Sequence, residues 1–142
     1  MIVSWQFWAV LSAIFAALTA IFAKIGIENV NSDFATFIRT IVILVTLGAI
    51  LLATRQFQPL ASVPQRAWLF LILSGLATGA SWICYFRALK LGPASLVAPI
   101  DKLSVVLVAL FGMALLGEKL TGRNWLGIAL IACGAVLVAI KA

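Results

Sequence analysis

The sequence predicts an all-α fold, a polytopic membrane bundle of about five transmembrane helices, each needing about 20 apolar residues to cross the hydrocarbon layer. The first observation behind this is composition. Hydrophobic residues make up 65% of the 142 residues, charged ones 10%, and the mean hydropathy is +1.22. A soluble domain holds about 45–50% apolar and about 25% charged residues. That excess has no place in a core with a wetted surface, so lipid is the expected solvent. The second observation is segmentation: long apolar runs alternate with short polar or Gly/Pro connections. The third is tryptophan: Trp5, Trp8, Trp68 and Trp125 stand near the starts of the first, third and fifth runs. In an up-down bundle those starts share one side, where amphipathic rings anchor at the interface.

The runs follow in order. The first span covers residues 5–23 and closes at Lys24. The N-terminus lacks the basic region of a secretory signal, so this run is read as a retained span. The connection Glu28-Asn-Val-Asn-Ser-Asp33 follows. Ser32 is the expected N-cap of the second span, with Asp33 favourable in the first turn. That span covers 34–53 and contains Arg39. A connection with Pro59 and Pro64 leads to the third span, 67–88, closed by Arg87 and Lys90. Gly92-Pro93 breaks the chain, and Pro93 suits the first turn of a new helix. The fourth span, 94–116, contains Pro99, Asp101 and Lys102. The turn holding Gly117-Glu118-Lys119 and Gly122-Arg123 leads to the fifth, 125–140, with Lys141 just beyond. All of this makes one domain, residues 1–142, with no room for a soluble catalytic domain.

The formal net charge is +6, but the cations lie singly between apolar runs rather than in a basic stripe. They read as juxtamembrane charges rather than a nucleic-acid footprint, and no nucleic-acid partner is expected. By side, Arg55, Arg66, Lys119 and Arg123 oppose Lys24, Arg87, Lys90 and Lys141, four against four. That balance gives the positive-inside rule nothing to act on. The expectation is insertion in both orientations and an antiparallel homodimer, which would reproduce the inverted repeats of single-chain transporters. A fixed orientation set by a partner protein is the competing reading.

Charged side chains deep in a membrane are costly and mark pathways when they face a cavity. Arg39, Asp101 and Lys102 are the three within the spans. Asp101 lies about seven residues into the fourth span, about 10 Å along its axis, and Arg39 is at similar depth from the same side. The expected arrangement has Asp101 facing Arg39 and Lys102 turned to the cavity or the interface. Pro99 lacks an N–H and crowds the carbonyl of Ser95, so a helix kink is expected beside the acidic residue. One reading is a substrate or proton site; the other is a structural ion pair with a snorkelling lysine. Lys24 is a further site candidate or a plain anchor. Trp82 and Tyr85 share a helix face and either line a substrate cavity, stacking on flat or cationic ligands, or anchor at the interface. Gly75 with Gly79, and Cys133 near Gly127 and Gly134, are candidate helix-packing positions, since small residues let helices approach. Cys84 and Cys133 lie in apolar runs without metal-ligand spacing, and histidine is absent. No metal, cofactor or enzyme signature is read.

The stretches Ala94-Ser-Leu-Val-Ala-Pro-Ile, Leu115-Leu-Gly-Glu-Lys-Leu and Trp125-Leu-Gly-Ile-Ala-Leu-Ile-Ala-Cys-Gly, together with Tyr85-Phe-Arg-Ala-Leu, carry a family likeness. They resemble the EamA domain of the drug/metabolite transporter superfamily, in its single-domain, five-span form. The resemblance implies export or exchange of small metabolites by alternating access, pairing of two copies, and the plasma (inner) membrane of a prokaryote. It supplies no universal functional residue, although Pro99 matches the family's fourth-span proline. Two other readings stand beside it. One is a cation exporter like the small multidrug resistance proteins, whose first-span carboxylate has no counterpart here. The other is a non-transporting subunit of a larger transporter or flippase complex.

Overall fold

The computed structural model describes residues 4–140. The chain is 82% helical, with no strand among the described residues. Its helices are α1 (Trp5–Gly26), α2 (Ser32–Ala53), α3 (Gln65–Leu91), α4 (Ala94–Asp101), α5 (Ser104–Leu116) and α6 (Gly122–Ala139), with a 3-10 turn at Leu60–Ser62. Taking α4 and α5 as one span, five segments are long and apolar enough to cross a membrane. Lys141, expected to flank the fifth span, lies outside the described residues. The helices gather into two compact units, Met1–Phe22 with Leu91–Ala142, and Ala23–Lys90.

In the second unit, α2 starts two residues before its expected position. Its cap is Asn31 rather than Ser32: the Asn31 side-chain oxygen accepts from the Asp33 and Phe34 N–H groups at 2.9 and 3.1 Å. Ser32 is instead the first helical residue, and its hydroxyl donates to Asp33 at 3.3 Å. Thr36, Thr40, Thr46 and Thr54 each donate to the carbonyl one turn back, at 2.7–2.9 Å. Those hydroxyls are thereby satisfied within the helix, as a lipid-facing surface demands. The helix ends with Arg55 in the left-handed region, φ 55°. There the Gln56 N–H closes back on the Leu51 carbonyl at 3.0 Å, the closure of a Schellman motif. Helix α3 runs 27 residues, about 40 Å, so its ends pass the roughly 30 Å hydrocarbon layer. The unit's small interior holds Ile27, Phe86 and Leu89.

In the first unit, α6 packs against both α4 and α5. The buried residues of α5 and α6 are small: Ala109, Gly112 and Ala135. Gly117 ends α5 with φ 68°, a conformation natural to glycine, and its N–H reaches the Gly112 carbonyl. The Glu118 carboxylate folds back over Gly112 so closely that a Cβ there would lie 2.6 Å from its Oε2. Thr121 caps α6 by accepting from the Asn124 N–H at 3.4 Å. At Gly75, Gly79, Gly127 and Gly134, by contrast, a Cβ would meet nothing within 4 Å. Cys133 is exposed as well.

The fourth span is not one helix. Helix α4 stops at Asp101, and α5 starts at Ser104. Across the junction the bonds are i→i+3: Lys102 to the Pro99 carbonyl, Leu103 to Ile100, Val105 to Lys102 and Val106 to Leu103, all 2.9–3.1 Å. Pro99 withholds one N–H from the ladder, and the chain tightens one turn later. Most of the outer surface is apolar, with side chains such as Leu44, Leu52, Phe70 and Leu137 exposed. This is the surface of an integral membrane protein.

Candidate functional site

The second unit brings together the end of α1, the start of α2 and the end of α3. Helices α2 and α3 run antiparallel here, joined by side chains in a ladder. The outer rung is Asp33 with Arg87. The guanidinium donates twice, from Nε to Oδ1 at 2.9 Å and from Nη2 to Oδ2 at 2.6 Å. This fork is the strong geometry for an arginine–carboxylate pair. Asp33 also sits in the first turn of α2, where the helix dipole favours it. Both side chains are well exposed, which tempers what the pair adds to stability.

The inner rung is Arg39. Its guanidinium lies 3.8 Å from the Trp82 ring centroid and 5.4 Å from that of Phe86. Trp82 and Phe86 are four apart on α3 and so face the same way. Tyr85 is half-buried on the same helix. Arg39 is therefore held by ring faces, a cation–π arrangement that gains strength when partly desolvated.

A crossed pair of lysines ties α1 to α3. Lys24, near the end of α1, donates to the Leu89 carbonyl at 2.6 Å. Lys90, near the end of α3, donates to the carbonyls of Ile27, Glu28 and Val30 at 2.5, 2.8 and 3.1 Å. The Leu89 carbonyl is among the last of α3, which the helix leaves open, whereas Ile27, Glu28 and Val30 lie in the turn just beyond α1; a cation beside a helix C-terminus also suits its dipole. Ile27 and Leu89 are sealed beneath them. A pocket of about 340 Å³ opens beside this clasp, lined by Lys24, Ile25, Ile27, Glu28 and Lys90.

In the first unit, Asp101 and Lys102 flank the helix break. Chain neighbours on a continuous helix point about 100° apart. Here the helix ends between them, and Lys102 Nζ reaches Asp101 Oδ2 at 3.3 Å. Asp101 is thus found with Lys102, and Arg39 with Trp82. The break also places polar groups beside irregular backbone inside an apolar span. Irregular backbone at membrane depth is tolerated where it is covered by protein or lines a water-filled cavity.

Sequence reasoning named Arg39, Trp82, Asp101, Lys102 and Pro99, and structure gives each a definite setting. It treated Arg87 and Lys90 only as flanking charges and gave Phe86 no role. The signal for Arg87 was present in outline: a carboxylate in the first turn of α2 and cations in the last turns of α3. The three-carbonyl grip of Lys90 had no such signal, because backbone acceptors are invisible in residue types.

A model of the EamA-like transporter family matches residues 3–140. The chain is 66% identical over 137 residues to an uncharacterized transporter in the cobO 3' region of Sinorhizobium sp, covering 96% of this chain and 97% of that protein. It is 27% identical over 136 residues to the uncharacterized transporter YxxF of Bacillus subtilis (strain 168). There it covers 94% of this chain but only 42% of the relative's length. No solved structure matches the chain significantly.

Proposed function

The chain belongs to the EamA-like transporter family, and on that premise we propose that it is a secondary transporter that exports or exchanges a small metabolite by alternating access. The observation that carries the reading is the interruption of the fourth span at Asp101–Lys102. Broken helices that present charge and free backbone groups inside a bundle are how secondary transporters build midplane sites. Substrate binding there biases inward-open and outward-open states through differential affinity. No covalent chemistry is required of the chain, and the reading is of a carrier rather than an enzyme. Its bacterial relatives support a location in the plasma membrane of a prokaryote.

The working form in this proposal is a homodimer of antiparallel copies. The balanced flanking charges support it, and so do the small residues Gly75, Gly79, Gly127 and Gly134, which have open space rather than a helix of this chain before them. Those positions are suited to a second copy.

The test is Asp101→Asn in purified protein reconstituted into liposomes. Membrane insertion is expected to be normal. The initial rate of counterflow is expected to fall about tenfold or more, equivalent to about 1.4 kcal/mol on the barrier. Transport at an unchanged rate would leave Asp101 a helix-end residue only.

A further inference from the structure

Two ways of placing a cation inside an apolar span are used in this chain. Lys102 has a carboxylate beside it. Arg39 has aromatic faces instead. The carboxylate next along its own ladder, Asp33, is taken by Arg87 through both oxygens. Arg39 is in the interior of α2, about two turns beyond Asp33, so water does not screen it as at an end.

Stacking governs what such a group can still do. A guanidinium laid flat over an indole uses its face and leaves its edge. The edge carries the N–H donors in a fork that matches an oxyanion with two oxygens. Arg39 is placed by the two rings rather than by a carboxylate. Arg39 is only part-buried, and no unbonded side-chain nitrogen or oxygen among the described residues is buried, so any donor of its edge that lacks a partner is accessible from outside the helix pair. The same geometry disfavours the opposite ligand. The ring faces that would draw a cation, those of Trp82 and Phe86, already have Arg39 against them. A cationic substrate would also meet a like charge at close range.

We propose that Arg39, stacked on Trp82, is the ligand-binding group of this transporter, and that it takes a soluble metabolite bearing a carboxylate or phosphate, not a cation. This rests on the transporter reading and sets the sign of the substrate. Trp82 is a positioning residue that fixes the plane of the fork, with Phe86 beside it. Arg39 touches the ligand.

Thermal unfolding of the purified protein in neutral detergent tests this, at constant ionic strength so that screening is held fixed. The probes are succinate, inorganic phosphate, benzyltrimethylammonium and, separately, phosphatidylglycerol. Succinate or phosphate is expected to raise the melting temperature in a saturable way, and benzyltrimethylammonium to leave it unchanged. Arg39→Lys keeps the charge but loses the fork, and should weaken apparent affinity about tenfold. Arg39→Gln should abolish the shift. Trp82→Leu should weaken it while leaving Arg39 in place. If Arg39→Gln does not fold, Arg39→Lys decides alone. Protection by the ammonium probe, equal protection of wild type and Arg39→Lys, no protection by either oxyanion, or protection by phosphatidylglycerol alone would each overturn the proposal. Liposomes tested in parallel separate this from the reading beneath it. Transport of a neutral or cationic solute without oxyanion protection removes the assignment and keeps the transporter. Oxyanion protection without transport of any probe keeps the binding site and removes the transporter.

Discussion

Lys90 shows how one side chain can organise a loop. A hydrogen bond from a charged group contributes about 1.5–3 kcal/mol at best, and less where water competes. Of the three carbonyls it holds, that of Ile27 is the most shielded, since Ile27 is 1% exposed. Lys90→Met keeps the apolar stem and removes the donor. It is expected to cost about 1–2 kcal/mol in unfolding experiments in mild detergent, mostly through the Ile27 acceptor. A loss in the Lys24→Met, Lys90→Met double variant smaller than the sum of the two single losses would show that each half of the crossed clasp depends on the other. Asn31 illustrates what local sequence leaves ambiguous: both Asn31 and Ser32 are good caps. The chain settles on the residue whose side-chain oxygen reaches two N–H groups rather than one. Arg39 is a sharper case. Its depth in an apolar run marks it at once, but its partner is an aromatic ring 43 positions away in sequence, and nothing local distinguishes a ring face from a carboxylate as its counterpart.

At the level of elements, the spans were legible because the hydropathy contrast with their connections is large. Their ends were less so: α3 continues to Leu91, three residues beyond the expected boundary, and stops only where Gly92-Pro93 breaks the chain. The break in the fourth span was legible in cause but not in position. Pro99 announces a disturbance, yet the ladder fails at Lys102–Leu103, where i→i+3 bonds take over. A proline in a helix interior costs about 3 kcal/mol. Pro99→Ala restores the N–H to the Ser95 carbonyl. It is expected to lengthen α4, raise thermal stability by about 1–3 kcal/mol, and slow transport. Hydrogen exchange at the Lys102 and Leu103 amides reads the first effect, and liposome counterflow the last. Faster transport in a stiffened span would mean that the break has no part in the conformational change.

For the whole molecule, the balance of flanking cations is the property that governs assembly. Four against four leaves orientation undecided by charge. Gln56→Lys with Gln58→Lys weights one side to six against four, and is expected to fix a single orientation. Asn29→Lys with Arg55→Gly weights the other, and glycine accepts the left-handed conformation at position 55. Tags at both termini report the orientations. Under the antiparallel reading each variant alone is expected to transport poorly, and the two expressed together to recover activity. Full activity of either variant by itself would point to a parallel pair or to single copies.

The lysine clasp also has a bearing on how the chain is made. Lys90 grips a carbonyl 60 residues behind it, that of Val30. At a synthesis rate of about 5–20 residues per second, Val30 is polymerised about 3–12 seconds before that lysine. Until then the Glu28 and Val30 carbonyls lack the lysine that holds them in the finished chain. The third helix is therefore the fastener of the first hairpin, and the nascent chain acquires its fixed turn only when the translating ribosome has passed that point.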